Sequence, residues 1–208
     1  MTEADDTKRK LLEAAGAMFA RDGFRAATVR GICSEAGANV AAVKYHFGDK
    51  LGLYRAVFRH AFTFAPPPRA PRTGAPVAER LRDWVADFLG SILDLGRPAW
   101  HARLMAREMT DPSEVLDEMV ATHIRPRFAE MAAIVGELLP GGPPAAIRRA
   151  ASSVVAQCVF YHHARPVITR LHPAWKFTAD EVAAIAEHVA VFSLAGLRAS
   201  AAAIRSAR

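Results

Sequence analysis

The sequence predicts an all-α fold in which an N-terminal helix-turn-helix domain of three helices precedes a larger helical domain. Apolar residues recur at helical spacing along the 208 residues, and no segment shows the convincing polar-apolar alternation of a strand. Two short helical segments meet at Ala36-Gly37, as in a helix-turn-helix. Residues 65–76, APPPRAPRTGAP, hold five prolines and one glycine, which cannot continue a helix. We therefore divide the chain into a domain at 1–64, a Pro-rich linker at 65–76 and a domain at 77–208.

The composition favours a cytoplasmic protein with a polyanionic partner. Net charge is +6 and 51% of the residues are hydrophobic, although the basic excess is shared equally between residues 1–60 and the rest. Cys33 and Cys158 lie in apolar helical runs, which indicates reduced thiols rather than a disulfide. Residues 1–10 are polar and charged, and no uninterrupted apolar run is long enough to span a bilayer. We expect neither a secretory segment nor a membrane partner.

The first and fourth helices have recognisable ends. The first is predicted to begin at Asp5-Asp6-Thr7, whose side chains suit a helix start, and to end at Asp22-Gly23. Gly48 then breaks the chain, and Asp49 can cap a fourth helix that leads out of the domain. Apolar residues at helical spacing predict the buried faces of both helices: Leu11, Leu12, Ala15, Met18 and Phe19 in the first, and Leu53, Tyr54, Val57, Phe58, Ala61 and Phe62 in the fourth.

Between these helices, residues 28–47 predict a helix-turn-helix that binds DNA. Gly37 supplies the left-handed backbone of the turn, and Asn39 can cap the second helix. With that helix's apolar side buried, Lys44, Tyr45 and His46 face outward and offer donors and an aromatic ring to phosphates and base edges. The predicted buried positions are Val29, Ile32, Cys33 and Ala36 in the first helix, and Val40, Val43 and Phe47 in the second.

Beyond the linker, we expect helices at 77–95, 100–109, 145–164 and 178–203, with a long helix from Asp111-Pro112-Ser113-Glu114 towards Leu139. Pro126 should kink or split the long helix, and residues 140–144 should end it. The spacing Thr178-x-x-Glu181 is that of a capping box.

The apolar surface of the last two helices is wide for a single core. We favour a homodimer in which these two C-terminal helices meet their twins as a four-helix interface. Such a dimer would also space two DNA-reading helices. The alternative is that both helices cover helix 77–95 inside a monomer.

The sequence resembles the tetracycline-repressor (TetR) family through residues 28–50, with Ala36-Gly37-Ala38-Asn39 and Tyr45-His46-Phe47-Gly48-Asp49-Lys50. The run 38–47, ANVAAVKYHF, is similar to the CecR (YbiH-like) subgroup, as are His101-Ala102-Arg103-Leu104-Met105-Ala106-Arg107-Glu108-Met109 and Ala164-Arg165-Pro166-Val167. The resemblance implies an all-helical homodimer with an N-terminal operator-binding domain and a C-terminal domain for dimerisation and a small-molecule effector.

The resemblance also implies roles for single residues. Thr28 would contact a phosphate, Arg30 a base, and Lys44 a base or a phosphate; for Arg30 the alternative is a solvated side chain. Lys44 departs from the Tyr that is commonest there in the family. The full set of DNA-binding residues is Thr28, Arg30, Asn39, Val40, Ala41, Ala42, Lys44, Tyr45, His46 and Lys50.

Large and charged residues of the middle helices are candidates for an effector pocket, with plain core as the alternative. Arg103, Arg107, Glu108 and Asp117 interrupt apolar helices, so each would orient a ligand or join an internal ion pair. The candidate effector-binding residues are Trp84, Phe88, Trp100, Arg103, Met105, Met109, His123, Phe128, Phe160 and Tyr161.

These observations predict a ligand-responsive transcriptional regulator, a repressor released from double-stranded operator DNA by an effector. We expect no enzymatic activity, cofactor or metal, because no catalytic pair or complete ligand set is evident; Cys158 and His162 share a helix face without further ligands nearby in sequence. The alternatives are a DNA reader fused to a metal-sensing or enzymatic helical domain, and an effector-independent architectural DNA binder.

Overall fold

A computed structural model describes residues 3–64, 72, 74–93 and 96–206, most of which lie in helices and none in a strand. The all-α prediction is confirmed. In chain order the helices are α1 (Glu3–Ala26), α2 (Val29–Ala36), α3 (Val40–Phe47), α4 (Lys50–Thr63), α5 (Val77–Leu93), α6 (Ala99–Thr110), α7 (Val115–Met119), a π-helical turn (Val120–Ile124), α8 (Arg125–Leu138), α9 (Pro144–His163), α10 (Arg165–Leu171) and α11 (Ala179–Ser206).

The described residues form two compact units. The first unit combines α1 to α4 with residues 96–122, and the second combines α5 with residues 123–206. The sequence-based division at 65–76 placed α6 and α7 in the second domain, but both helices pack in the first unit. Most of the predicted linker falls outside the described residues.

The first unit is built around α1, against which α2, α4 and α6 pack. Its apolar core includes the predicted faces of α1 and α4, except that Phe62 is only half-buried. Residues from α6 and α7 complete the same core: Trp100, Leu104, Val115 and Met119. After α5 of the second unit, the polypeptide therefore returns to the first unit and completes the core that the first sixty residues began.

In the second unit, α5 is the central helix, and it contacts α8, α9 and α11. Leu81, Val85 and Leu89 lie at helical spacing on its buried face. Helix α11 is long and apolar enough to cross a membrane by length and composition alone, a test that core helices of soluble proteins also pass. One of its faces is buried in this core through Ile185, Val189 and other residues.

Two details of the helices differ from the sequence prediction, and a third agrees with it. Asp111 follows the end of α6, and the Ser113 hydroxyl instead accepts the Val115 N–H at 3.1 Å to open α7. Residues 165–171 form a separate helix, α10, that the sequence analysis did not identify. Pro126 does split the long helix, because α8 begins one residue before it, after the π-helical turn.

Gly16 on α1 allows the Trp100 ring of α6 to pack closely, so a side chain at this position should lower the stability of the protein. A Cβ built on Gly16 would lie 2.6 Å from a ring carbon of Trp100, whereas one on Gly90 of α5 would have nothing within 4 Å. The Trp100 ring cannot turn away freely, because its Nε1–H donates to Glu13 at 2.9 Å. We expect Gly16→Ala to lose about 1–3 kcal/mol through overpacking, offset by up to about 1 kcal/mol of helix propensity.

The melting temperature from circular dichroism measures this difference. Gly16→Ala should melt several degrees below the wild type, while the matched control Gly90→Ala should melt at the same temperature or higher. Equal melting temperatures for the two variants would show that α6 does not pack on Gly16.

Candidate nucleic-acid interface

The helix-turn-helix is fixed by local hydrogen bonds, together with the Gly37 turn and the Asn39 cap that the sequence predicted. Gly37 has φ 62° and ψ 34°, the left-handed conformation that a side chain disfavours. Its N–H donates to the Ser34 carbonyl at 3.4 Å, and the Ala38 N–H donates to the Cys33 carbonyl at 2.9 Å. At the start of α3, the Asn39 side-chain oxygen accepts the Ala41 N–H at 2.9 Å. The turn therefore holds α3 in a defined direction after α2.

Fewer residues of the helix-turn-helix are buried than the sequence predicted. Ile32, Cys33 and Val43 are buried, and Val29, Ala36 and Phe47 are partly buried. Val40, which we also expected on the buried face, is 49% exposed. Val40 is the first residue of α3. Its exposure leaves it available for the apolar contact that the family resemblance implies.

Several other side chains of this motif are exposed. Arg30, Ala41 and Lys44 are exposed, and Tyr45 is 83% exposed. The Tyr45 ring meets the partly buried His46 ring edge to face at 4.8 Å. A phenol with this exposure contributes little to the core. Tyr45 can donate its hydroxyl proton to an acceptor outside the protein.

Three other predicted DNA-binding residues already have intramolecular roles. The hydroxyl oxygen of Thr28 accepts the Gly31 N–H at 3.1 Å, and Asn39 caps α3 as described above. Both residues are exposed, and the Thr28 hydroxyl proton can still be donated. The Lys50 ammonium donates to the Arg25 carbonyl at 3.2 Å and lies 4.8 Å from the centre of the Phe24 ring. Lys50 thus holds the end of α1, a role that the sequence did not indicate. Ala42 is partly buried.

A buried hydrogen-bond network beside α4 also escaped the sequence analysis. The Tyr54 hydroxyl donates to the Glu108 carboxylate at 2.7 Å, and both residues are buried. Burial, followed by this hydrogen bond, raises the pKa of Tyr54 well above its usual value. Of the four charged residues singled out in the middle helices, only Glu108 is buried, while Arg103 and Asp117 are exposed. Arg107 is partly buried, and it donates to backbone carbonyls rather than to a carboxylate.

The ten candidate effector-binding residues are divided between the two units. Four belong to the first unit: Trp100, Arg103, Met105 and Met109. Six belong to the second unit: Trp84, Phe88, His123, Phe128, Phe160 and Tyr161. Trp100 is a core residue that binds Glu13, whereas Arg103 is exposed and Met109 is 45% exposed. The first four therefore do not line one cavity of their own unit.

Within the second unit, an aromatic group lies at the contact of α5 with α8. The rings of Trp84 and Phe88 stack at 4.8 Å, and the Trp84 Nε1–H donates to Glu130 at 3.2 Å. The Arg127 guanidinium lies 4.8 Å from the centre of the Trp84 ring. Phe128 is partly buried in the same apolar core. The arrangement combines the buried Trp84 and the partly buried Phe88 with an ion pair between Arg127 and Glu130 at 2.9 Å.

The last two long helices expose apolar side chains. Phe160 of α9 is 57% exposed, while Val191 and Phe192 of α11 are 49% and 63% exposed. An open depression of about 330 Å³ lies between these helices. It is lined by Ala156, Gln157, Phe160, Tyr161, His188 and Val189. Phe160 therefore belongs to a surface and not to a core.

Cys158 and His162, the possible metal ligands on α9, are in environments that do not suit metal binding. Burial raises the pKa of the Cys158 thiol to about 12, which disfavours the thiolate that a metal requires. The His162 Nδ1 lies 2.8 Å from the Ile92 carbonyl. Within the described part of the chain, no group of three or more His, Cys, Asp or Glu residues is placed to hold a metal ion.

Two family models match the chain. The model of the TetR family of bacterial regulatory proteins matches residues 11–57, and that of the C-terminal domain of the HTH-type transcriptional dual regulator CecR matches residues 77–197. The CecR regulator of Shigella flexneri is 38% identical to this chain over 88 residues, which are 42% of the chain. The match spans only 28% of that relative's length.

Solved structures share the fold at low sequence identity. One is AibR in complex with isovaleryl coenzyme A and operator DNA, with a TM-score of 0.64 and 14% identity over 89% of this chain and 97% of AibR. Another is HlyIIR, a hemolysin II transcriptional regulator, with a TM-score of 0.59 and 19% identity over 88% of this chain and 97% of HlyIIR. The two family matches together cover most of the chain, and the CecR model alone covers more than half of it. The chain therefore belongs to the TetR family of transcriptional regulators and carries a CecR-type C-terminal domain.

Proposed function

We propose that this protein is a cytoplasmic, dimeric repressor that binds operator DNA and leaves it when a small-molecule effector binds. The observation that carries the proposal is the exposure of Arg30, Lys44 and Tyr45, all donors, on a helix-turn-helix that is fixed by its own hydrogen bonds. The family match supports the same function. Nothing in this arrangement requires an enzymatic step.

The three donors differ in the DNA groups that their chemistry suits. Arg30 carries a planar guanidinium that can bind the two acceptors of a guanine edge, and so can distinguish sequences. The Tyr45 hydroxyl is suited to a single phosphate oxygen, which is the same for every sequence. Lys44 offers a point charge to either group. We assign specificity to Arg30 and sequence-independent affinity to Tyr45.

Affinities of Arg30→Ala and Tyr45→Phe for DNA test this division. The operator is first obtained by selecting duplexes from a random pool with the wild-type protein. Arg30→Ala should then lose about 1–3 kcal/mol on the selected duplex and little on random DNA. Tyr45→Phe should lose affinity for both duplexes equally, and Arg125→Ala, an exposed arginine on α8, should lose none. Equal losses of Arg30→Ala on both duplexes would contradict the assignment.

The exposed apolar side chains of α9 and α11 support dimerisation through these two helices. Phe160, Val191 and Phe192 lie on the two helices, and apolar patches of this kind on soluble proteins mark interfaces. A two-fold axis would bring the pair against its copy as a four-helix interface. The dimer would hold two α3 helices at the spacing of successive major grooves, about 34–36 Å apart.

Sedimentation of Phe192→Glu tests the interface. A carboxylate at this position would be desolvated in the dimer and solvated in the monomer, so the variant should sediment as a monomer at concentrations where the wild type is a dimer. Leu171→Glu is the matched control, because Leu171 is 69% exposed but lies on α10. If Phe192→Glu stays dimeric, or if Leu171→Glu also dissociates, another surface forms the dimer.

We place effector binding in the second unit, around α5 and α8. Phe88, which is partly exposed and stacks on the buried Trp84, offers an apolar contact, and Arg127 and Glu130, which pair with each other at 2.9 Å, offer charges that a ligand would engage. AibR, which has the same fold, was solved with isovaleryl coenzyme A as well as DNA. An effector releases DNA only to the extent that it binds the DNA-incompetent state more tightly.

A thermal-shift screen of small metabolites, followed by DNA titrations, tests this placement. A compound at a hundred times its Kd should add about 2.7 kcal/mol to stability, and the same compound should weaken binding to the selected duplex. Phe88→Ala should reduce its thermal shift. A screen without any stabilising compound, or a stabiliser that leaves DNA affinity unchanged, would favour an effector-independent DNA binder instead.

A further inference from the structure

The last turn of α6 is held in one position by the buried carboxylate of Glu108. One carboxylate oxygen accepts the Tyr54 hydroxyl of α4 at 2.7 Å. The other accepts the backbone N–H and the hydroxyl of Ser113 at 2.9 and 2.8 Å. Glu108 is fully buried, so moving it away from these donors would leave a polar group without partners. Helix α6 is thereby fixed against α4.

The neighbouring residue, Arg107, reaches from this fixed turn to the end of α1. Its guanidinium donates to the carbonyls of Arg21 and Asp22 at 3.1 and 3.4 Å. Carbonyls near a helix C-terminus carry the partial negative charge of the helix dipole, so they attract a cation. A backbone acceptor is available whatever the side chain, which explains why no sequence pattern indicated this contact.

The contact lies where α1 changes direction towards the helix-turn-helix. Gly23 interrupts the helical path with φ 82° and ψ 168°, a conformation that is accessible almost only to glycine. A Cβ built on Gly23 would lie 2.6 Å from the Arg107 Nε, so the guanidinium occupies the space beside it. Lys50 binds the Arg25 carbonyl two residues further on. Two cations from α6 and α4 thus hold residues 21–25, which we name the α1 joint.

The α1 joint is followed at once by Thr28, the N-cap of α2. With so few residues between them, the direction of the chain at the joint sets the direction of α2 and hence of α3. We propose that Arg107 is a positioning residue for DNA reading: it holds the α1 joint and thereby orients the helix-turn-helix, without contacting DNA itself. This inference rests on the proposed DNA-binding function.

Arg107→Met tests the inference, because methionine keeps much of the apolar stem and removes the donors. Arg59→Met is the matched control: Arg59 is exposed and its guanidinium also joins two helices of the first unit, binding Glu118 at 3.2 Å. Arg107→Met should bind the selected duplex about tenfold more weakly, the size of one lost base contact, and bind random DNA as before. Its dependence on salt should be unchanged, since no phosphate contact is lost. Arg59→Met should behave as the wild type.

A measurement without DNA separates this inference from the proposed function. Backbone amide hydrogen exchange should be faster in residues 24–31 of Arg107→Met, and unchanged in the second unit. Unchanged exchange at the joint would overturn the inference, whatever the DNA result. If the wild type selects no duplex, the proposed function fails, and the exchange measurement still decides the role of Arg107 at the joint.

Two other outcomes would also overturn it. A weaker salt dependence of Arg107→Met, by about one counterion, would show that Arg107 contacts a phosphate directly. Equal losses on selected and random DNA would show a general loss of folding. Should Arg107→Met fail to fold, Arg107→Lys keeps the charge but reaches the two carbonyls less well, and it should show a smaller loss of the same kind.

Discussion

The packing of α6 along α1 is the contact on which the rest of the first unit depends. The Trp100 ring lies so close to Gly16 that a Cβ would approach it to 2.6 Å, and its Nε1–H binds Glu13. Leu104, one turn further along α6, then enters the same apolar core as Leu11. The interior of the DNA-reading unit is therefore completed by residues that follow the helix-turn-helix by more than fifty positions. Any change in α6 must be felt in that interior, since closely packed cores do not deform gradually.

The helix-turn-helix could be predicted because its signals are local. Gly37, Asn39 and Asp49 each act on a backbone group within three residues, through a left-handed turn or a helix cap, and the structure shows all three in those roles. The spacing of Ile32, Cys33 and Val43 likewise identified the buried side. Val40 was misplaced because periodicity gives the face of a helix, but not how far the neighbouring helix extends along it.

The position of α6 could not be predicted, because an apolar face does not identify its partner. Trp100 and Leu104 have the spacing of a buried helix wherever that helix packs. The acceptors of Arg107 are backbone carbonyls, which every residue has. Tyr54, the partner of Glu108, has the helical spacing of a core residue, so nothing in the sequence indicated a hydrogen bond. Long-range polar contacts of this kind leave no periodic pattern. The same reasoning explains Phe160, whose apolar character fitted a core but whose side chain is exposed.

Glu108 gives α6 discrete positions rather than a continuous range. A carboxylate in an apolar interior adds little net stability even when it is well bonded, because desolvation offsets the hydrogen bonds. Glu108 instead destabilises shifted positions of α6. Sliding α6 by one turn, about 5.4 Å, would carry Glu108 away from Tyr54. A buried acceptor left without donors costs roughly 1–3 kcal/mol or more. An element that is stable in one register and costly between registers has the property that a switch needs.

Because Arg107 precedes Glu108 directly, whatever fixes or shifts this turn also fixes or shifts the guanidinium at the α1 joint. The orientation of the DNA-reading helix is thus tied to the register of a helix more than fifty residues away.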